Sequence, residues 1–241
     1  MSERQVNLGL NRTGAKMSPQ DTQQQLEATR LYPADVPGDM GTYTQAREQA
    51  IGTAERIGSV PPPGSTKGML KTALDKMLGN HPEVLLDKLG ERLAFERTGV
   101  RLYEAMVAKA TSAVGANPAL VATLREIQAQ ELEHMNLVRE AIETLGGDPT
   151  TMTPCADVAA VKAQGVLQVL TDPRTTLSQS LSAILTIELE DNAAWELLIE
   201  LAHKGGHPLI AESFKPAFEQ EEVHLATVRD LIRRDLLNQV S

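Results

Sequence analysis

Apolar side chains recur at spacings of three and four residues along four long segments of the C-terminal two thirds of the chain. This spacing is typical of amphipathic helices that bury one face. In the first segment, Leu89, Leu93 and Val100 share such a face. The four predicted helices are A over 82–112, B from Asn117-Pro118 to Gly146-Gly147, C over 175–203 and D over 208–237.

The connections between these segments predict their directions. Helices A and B are joined by a short loop and are therefore expected to be antiparallel neighbours. About 28 residues, with a predicted short helix over 156–170, separate B from C. That connection can cross the length of a bundle, so B and C can run parallel. Asn80 is the expected N-cap of helix A, and Pro216 is expected to kink or split helix D.

Residues 1–80 have a different pattern. Proline and glycine interrupt this segment often, as in Pro61-Pro62-Pro63-Gly64, and only two short amphipathic stretches, 43–56 and 67–78, are plausible. Neither could bury its apolar face alone. We therefore predict an irregular N-terminal extension over 1–80 and a helical bundle over 81–241. We expect the extension to pack on the bundle or on a neighbouring subunit of a homo-oligomer.

Composition supports an all-α fold, because aromatic residues make up only 3% of the 241 residues and strands favour them. Residues 81–241 carry 14 basic and 24 acidic residues, a charge of −10, and residues 1–80 carry +1, which together give the formal charge of −9. Nucleic acids and anionic membranes are therefore not expected partners. No run of residues is apolar enough to span a membrane, and one cysteine, Cys155, fits a reducing compartment, so we expect the cytoplasm.

A glutamate interrupts the apolar face of every predicted bundle helix. Glu131 in helix B and Glu221 in helix D are each followed three residues later by a histidine on the same face. The candidate ligands, in chain order, are Glu96, Glu131, His134, Glu188, Glu221 and His224. Four buried carboxylates without cations would cost more than a domain of this size can offset. Two divalent metals would supply the charge, and these ligands suit iron, with manganese as the alternative.

The bundle segment also repeats internally. Gln130-Glu131-x-x-His134 is matched by Gln220-Glu221-x-x-His224, each followed by Val-Arg-acid-x-Ile, and Glu96 precedes Tyr103 by seven residues as Glu188 precedes Trp195. Two helical hairpins related by a pseudo-twofold axis would bring the matching positions to one centre.

With these motifs, residues 82–238 resemble the ferritin-like superfamily, closest to its rubrerythrin-type and ferritin-type di-iron proteins. The resemblance implies that Glu131 and Glu221 bridge two metals, that Glu96 and Glu188 cap one each, and that ferrous ions are oxidised there by dioxygen or peroxide. It also makes Asp191 a further candidate ligand, at a position where rubrerythrin-type proteins carry a carboxylate. The rubredoxin module of those proteins, with its two cysteine pairs, is absent from this sequence.

Three functions remain open at this point. Our first hypothesis is a ferroxidase acting in iron detoxification or storage. The second is a di-iron or di-manganese redox enzyme, such as a peroxidase, catalase or oxygenase. The third is an assembly or scaffold module in which the metals serve stability. A metal-free polar network of the same residues is the structural alternative to all three.

Overall fold

The computed structural model describes residues 8–36, 38–64, 68–69, 81–113 and 116–240. Within these residues it is all-helical, without strands, as the sequence predicted. In the described ranges, a 3-10 helix, Ala15–Met17, precedes seven α-helices. These are α1 (Pro19–Leu31), α2 (Met40–Thr53), α3 (Pro82–Ser112), α4 (Pro118–Thr144), α5 (Pro154–Thr171), α6 (Leu177–Lys204) and α7 (Pro208–Val240).

Local signals in the sequence explain where the bundle helices begin and end. The Asn117 side chain accepts a hydrogen bond from the Ala119 N–H at the start of α4, and Thr176 forms a capping box with Gln179 at the start of α6. Gly146 and Gly206 have positive φ after α4 and α6, a conformation that glycine adopts without strain.

Two details differ from the sequence predictions. Pro216 is expected from the sequence to kink or split helix D; the corresponding helix α7 continues through Pro216, which excludes the split. In the N-terminal part, residues 43–53 of the stretch predicted at 43–56 lie in α2 (Met40–Thr53), and α1 (Pro19–Leu31) is not predicted from the sequence. The predicted cap at Asn80 and the stretch 67–78, apart from residues 68 and 69, lie outside the described residues.

The chain divides into two compact units on either side of the boundary between Arg56 and Ile57. In the first unit, α1 and α2 bury none of their residues. The second unit contains the bundle and the proline-rich segment before it: Pro63 is buried, and Pro61 and Pro62 line a cavity together with Leu86 and Ile142.

The bundle core consists of two apolar clusters separated by a polar layer. Leu89 and Leu93 of α3 belong to one cluster, and Leu102 and Met106 of the same helix belong to the other. The order of the clusters along each helix gives its direction, so α4 and α6 run parallel to each other and antiparallel to α3 and α7. This arrangement agrees with the predicted crossover between the second and third bundle helices.

Helix α5 forms that crossover and packs against α3. Gly90 of α3 allows the close approach, because a Cβ there would lie 2.5 Å from Thr153 Oγ1. Thr153 in turn caps α5, where its side chain accepts a hydrogen bond from the Ala156 N–H. Among the described residues, no helix combines the length and the apolar character needed to cross a membrane.

Candidate metal centre

The polar layer between the two clusters contains all the side chains predicted as ligands. Each of them is at most 2% exposed, Asp191 is fully buried, and Arg92 is 3% exposed. Every bundle helix contributes to the layer. The predicted ligands are Glu96 of α3, Glu131 and His134 of α4, Glu188 of α6, and Glu221 and His224 of α7.

Glu221 contacts both histidines of the layer. His134 Nδ1 lies 2.7 Å from Glu221 Oε1, and His224 Nδ1 lies 3.2 Å from Glu221 Oε2. His224 Nδ1 is also 3.6 Å from Glu131 Oε1. The Nδ1 atoms of both rings therefore point towards the same group of carboxylates.

Two glutamines hold these rings from the opposite hairpin. His134 Nε2 donates to Gln220 Oε1 at 2.8 Å, and His224 Nε2 donates to Gln130 Oε1 at 2.7 Å. An amide oxygen can only accept, so each ring carries a proton on Nε2 and turns Nδ1 towards Glu221. In the contact with Glu221 each Nδ1 donates its own proton, and that proton must leave before the nitrogen can bind a cation. Such outer partners fix the orientation of metal-binding histidines.

Arg92 lies on the Glu96 side of the layer. Its Nε is 3.0 Å from Glu96 Oε1, and a terminal nitrogen is 2.7 Å from Asp191 Oδ1. The guanidinium also stacks 4.0 Å from the centre of the Phe95 ring. One buried cation therefore joins a carboxylate of α3 to a carboxylate of α6.

Glu188 has a neutral partner instead. Tyr103 of α3 donates its hydroxyl to Glu188 Oε1 at 2.5 Å. Burial raises the pKa of Tyr103 well above its usual value, and the nearby Glu188 carboxylate raises it further. The phenol therefore remains a hydrogen-bond donor at neutral pH.

Most carboxyl groups of the layer have raised pKa values. Burial raises the pKa values of Glu96 and Glu131 well above normal, and neighbouring carboxylates add to the effect. The same cause raises the pKa of Glu188 to about 8 and that of Asp191 to about 7. The metal-free layer therefore retains protons that a bound cation would displace.

Glu221 is the exception. Burial alone would raise its pKa, but hydrogen bonds from His134 and His224 lower it to about 2. Burial likewise opposes the charge on His224, yet the contact with Glu221 raises the pKa of this imidazole. Glu221 is thus the carboxylate of the layer that stays ionised at neutral pH.

Among the described residues, three groups of ligand atoms have all their atoms within 4.8 Å of one another. Glu221 belongs to all three, Glu96 and Glu131 to two each, and Glu188 to none. Asp191, the further candidate, joins one group. The groups are Glu96–His134–Glu221, Glu131–Glu221–His224 and Glu96–Glu131–Asp191–Glu221.

The donor set fits a pair of divalent cations. Both carboxylate oxygens of Glu131 and Oε2 of Glu188 are buried and have no hydrogen-bond partner among the described residues. Buried carboxylate oxygens are normally paired or bound to a cation. Oxygen ligands with one imidazole per position match iron or manganese.

Sequence reasoning missed three contributions to this layer. Arg92 lies four residues before Glu96 on the same helix face, a spacing that could have identified it. Gly99 also follows Glu96 on that face, and a Cβ there would lie 3.1 Å from Glu131 Cδ and overlap its Oε2. The repeat included Gln130 and Gln220, but it does not show that each glutamine binds the histidine of the other hairpin.

A family model described as Rubrerythrin matches residues 87–232, which cover more than half of the chain and include every residue of the polar layer. Neither the curated proteins nor the solved structures contain a match to this chain.

Proposed function

Because the chain belongs to the rubrerythrin family, we propose that its polar layer binds two ferrous ions and oxidises them with dioxygen or hydrogen peroxide, in the manner of a ferroxidase. Glu96, Glu131, His134, Glu188, Glu221 and His224 are the proposed ligands, and Asp191 is the additional one. Iron detoxification or storage is the role that this activity would serve.

The observation that carries the proposal is the convergence of two Glu-x-x-His pairs on one water-excluded layer. A single such pair occurs by chance in many helices. Here both imidazole Nδ1 atoms contact Glu221, and Glu131 lies beside His224 with its oxygens unpartnered among the described residues. A metal-free network would instead pair those oxygens with donors.

The protein residues have separable tasks in this proposal. Gln130 and Gln220 keep the imidazoles in the orientation that presents Nδ1. Glu221 and Glu131 face both halves of the layer and offer oxygens that two cations can share. The apolar clusters on either side exclude water, which strengthens electrostatic attraction inside the layer.

Ferrous iron is the substrate in this account. Oxidation of two ferrous ions releases two electrons, and these electrons with two protons reduce dioxygen to hydrogen peroxide, or hydrogen peroxide to two water molecules.

One observation favours the assembly role as a second function. Helices α1 and α2 bury no residues, while Leu26, Leu31, Tyr43 and Ile51 are more than half exposed. An N-terminal unit of this kind could join copies of the chain, with the metals of the bundle serving stability. Removing residues 1–56 would then abolish assembly and leave iron oxidation intact.

The test is an anaerobic titration of metal-free protein with ferrous iron, followed by exposure to air or to measured hydrogen peroxide. We expect close to two irons per chain and oxidation much faster than in buffer. Glu131→Gln combined with Glu221→Gln should remove both effects, whereas the exposed neighbours Glu133→Gln and Glu222→Gln should remove neither.

Other results would support other members of the redox class. Evolution of dioxygen from hydrogen peroxide, strongest with manganese, would indicate a catalase. Uptake of no iron, or unchanged oxidation in the double variant, would refute the proposal.

A further inference from the structure

The two halves of the polar layer differ in the side chain that contacts the glutamate of their first helix. Glu96 of α3 contacts Arg92, whereas Glu188 of α6 contacts Tyr103. When Glu96 of α3 is aligned with Glu188 of α6, the residues of α3 correspond to the residues 92 positions later in α6. In this alignment Arg92 corresponds to Ile184, which is fully buried among apolar side chains. The first hairpin therefore places a cation where the second places a hydrocarbon.

A second difference accompanies the first. Gly99 of α3 corresponds to Asp191 of α6 in the same alignment. The extra carboxylate and the extra cation meet, because Arg92 contacts Asp191 at 2.7 Å. Two departures from the repeat thus form a single buried ion pair across the layer.

The pair balances the charge of the layer when two divalent ions are bound. Glu96, Glu131, Glu188, Asp191 and Glu221 contribute five negative charges when they are all ionised, and Arg92 contributes one positive charge. Four negative charges remain, and the four positive charges of two divalent cations balance them. Without Arg92 the layer would carry one more uncompensated negative charge and would attract cations more strongly.

Arg92 does not act equally on the two ends of the layer. Its Nε lies 3.0 Å from Glu96 Oε1, so the guanidinium and a metal ion would compete for that carboxylate. At the other end, Glu188 is held by the neutral hydroxyl of Tyr103. The group Glu131–Glu221–His224 contains none of the residues that Arg92 contacts.

We propose that Arg92 is an internal counter-ion that sets the order of metal loading: the Glu131–Glu221–His224 group takes the first divalent cation, and the Glu96–His134–Glu221 group takes the second with lower affinity. Arg92 acts through Glu96 and Asp191 and is a positioning residue. The inference rests on the proposed di-metal function and adds a difference in affinity between the two metal positions, which the sequence repeat alone does not predict.

The test uses Mn²⁺, whose electron paramagnetic resonance distinguishes single ions from coupled pairs, together with calorimetric titration of the full metal-free chain. For the wild-type chain we expect single ions at one equivalent, coupled pairs at two, and two binding steps separated by about tenfold or more in affinity. In Arg92→Met the second step should tighten by about tenfold, so that coupled pairs already form at one equivalent.

Two further variants control for loss of charge and for loss of folding. Arg97→Met removes an exposed arginine from the same helix and should leave both steps unchanged. Arg92→Lys keeps the cation and should keep the stepwise loading. If Arg92→Met does not fold, Arg92→Gln removes the charge, keeps a polar side chain beside Glu96 and Asp191, and should still tighten the second step.

The outcomes separate this inference from the function on which it rests. Failure of the wild-type chain to bind Mn²⁺ and ferrous iron would refute both. Two ions per chain with equal affinities, or an unchanged second step in the variants that lack Arg92, would overturn the role of Arg92 alone and leave the di-metal function standing.

Discussion

The two helical hairpins of the bundle, α3–α4 and α6–α7, share a ligand pattern but differ in how that pattern is supported. In both, a single glutamate faces a Glu-x-x-His pair, and a half-buried glutamine precedes the pair. Hairpin α3–α4 adds Arg92 and Gly99, where hairpin α6–α7 has Ile184 and Asp191. The repeated residues provide the atoms that can bind metal. The residues that differ between the hairpins determine the charge around those atoms and the space available to them.

The aromatic residues differ in the same way. Tyr103 and Trp195 occupy matching positions and are both fully buried. Tyr103 donates to Glu188, while Trp195 packs with its edge against His134, at 5.6 Å between ring centres, and against Phe214 at 5.2 Å. One residue orients a carboxylate and the other supports an imidazole.

The largest expected effect separates Glu221 from Glu131, its match in the repeat. Glu221 belongs to every ligand group and contacts both histidines, so Glu221→Gln should reduce metal binding from two ions per chain to less than one. Glu131→Gln should retain one ion, because Glu96, His134 and Glu221 remain. Metal analysis after dialysis measures both, with the exposed Glu222→Gln as control. Equal losses in the two variants would mean that the hairpins are equivalent.

A smaller effect is expected at the glutamines that cross between hairpins. Gln220→Leu should weaken metal binding about 10- to 100-fold, because His134 loses the partner that fixes its ring. Gln130→Leu should act similarly through His224. Calorimetric titration with Mn²⁺ measures the change. Unchanged affinity in both variants would show that the packing of the imidazoles alone orients them.

Gly99→Ala tests the space available to Glu131. A Cβ at position 99 would overlap Glu131 Oε2, the far end of a side chain that can move, so the protein should fold and lose about tenfold in metal affinity. Gly165→Ala in α5 is the matched control, because a Cβ there has no neighbour within 4 Å. That variant should gain about 0.5–1 kcal/mol of stability and keep its affinity. Wild-type affinity in Gly99→Ala would indicate that Glu131 does not depend on the glycine.

The smallest effect concerns pH and the metal-free protein. Glu188 and Asp191 have folded pKa values of about 8 and about 7, above the usual 4.5 and 3.8. The folded state therefore binds more protons than the unfolded state between these limits, and stability falls as pH rises through them. Glu221, with a pKa of about 2, acts oppositely, but only as pH falls below 4.5.

Thermal unfolding at pH 5 and pH 8 measures this dependence. The chelator-treated chain should melt about 5 °C lower at pH 8, and two equivalents of Mn²⁺ should remove the difference, because metal ions replace the lost protons. A higher melting temperature at pH 8 without metal would contradict the raised pKa values.

The sequence predicted the bundle closely because its helices end at strong local signals, such as Asn117-Pro118 and Gly205-Gly206. It also predicted the buried glutamates and histidines, because helical periodicity reveals which residues share an inward face. It did not predict the pairing of Arg92 with Asp191 or the exchange of glutamine partners. These contacts join different helices, and a single sequence does not show which inward-facing residues meet across a core.

The N-terminal unit illustrates the other limit. Helices α1 and α2 have start signals, including the Asp39 side chain that accepts from the Thr42 N–H, but no apolar face that they bury. Local signals alone therefore predicted a helix within 43–56 without predicting what it contacts. The expected packing of the extension on the bundle or on a neighbouring subunit remains a prediction for residues before Ile57.

The most direct test of the central claim is the identity and number of the metal ions in the purified chain, measured by elemental analysis of protein produced in iron-supplemented medium. We predict close to two irons per chain, and almost none in the variant that combines Glu131→Gln with Glu221→Gln. A wild-type chain that folds, keeps its helical content and carries no iron or manganese would contradict the account.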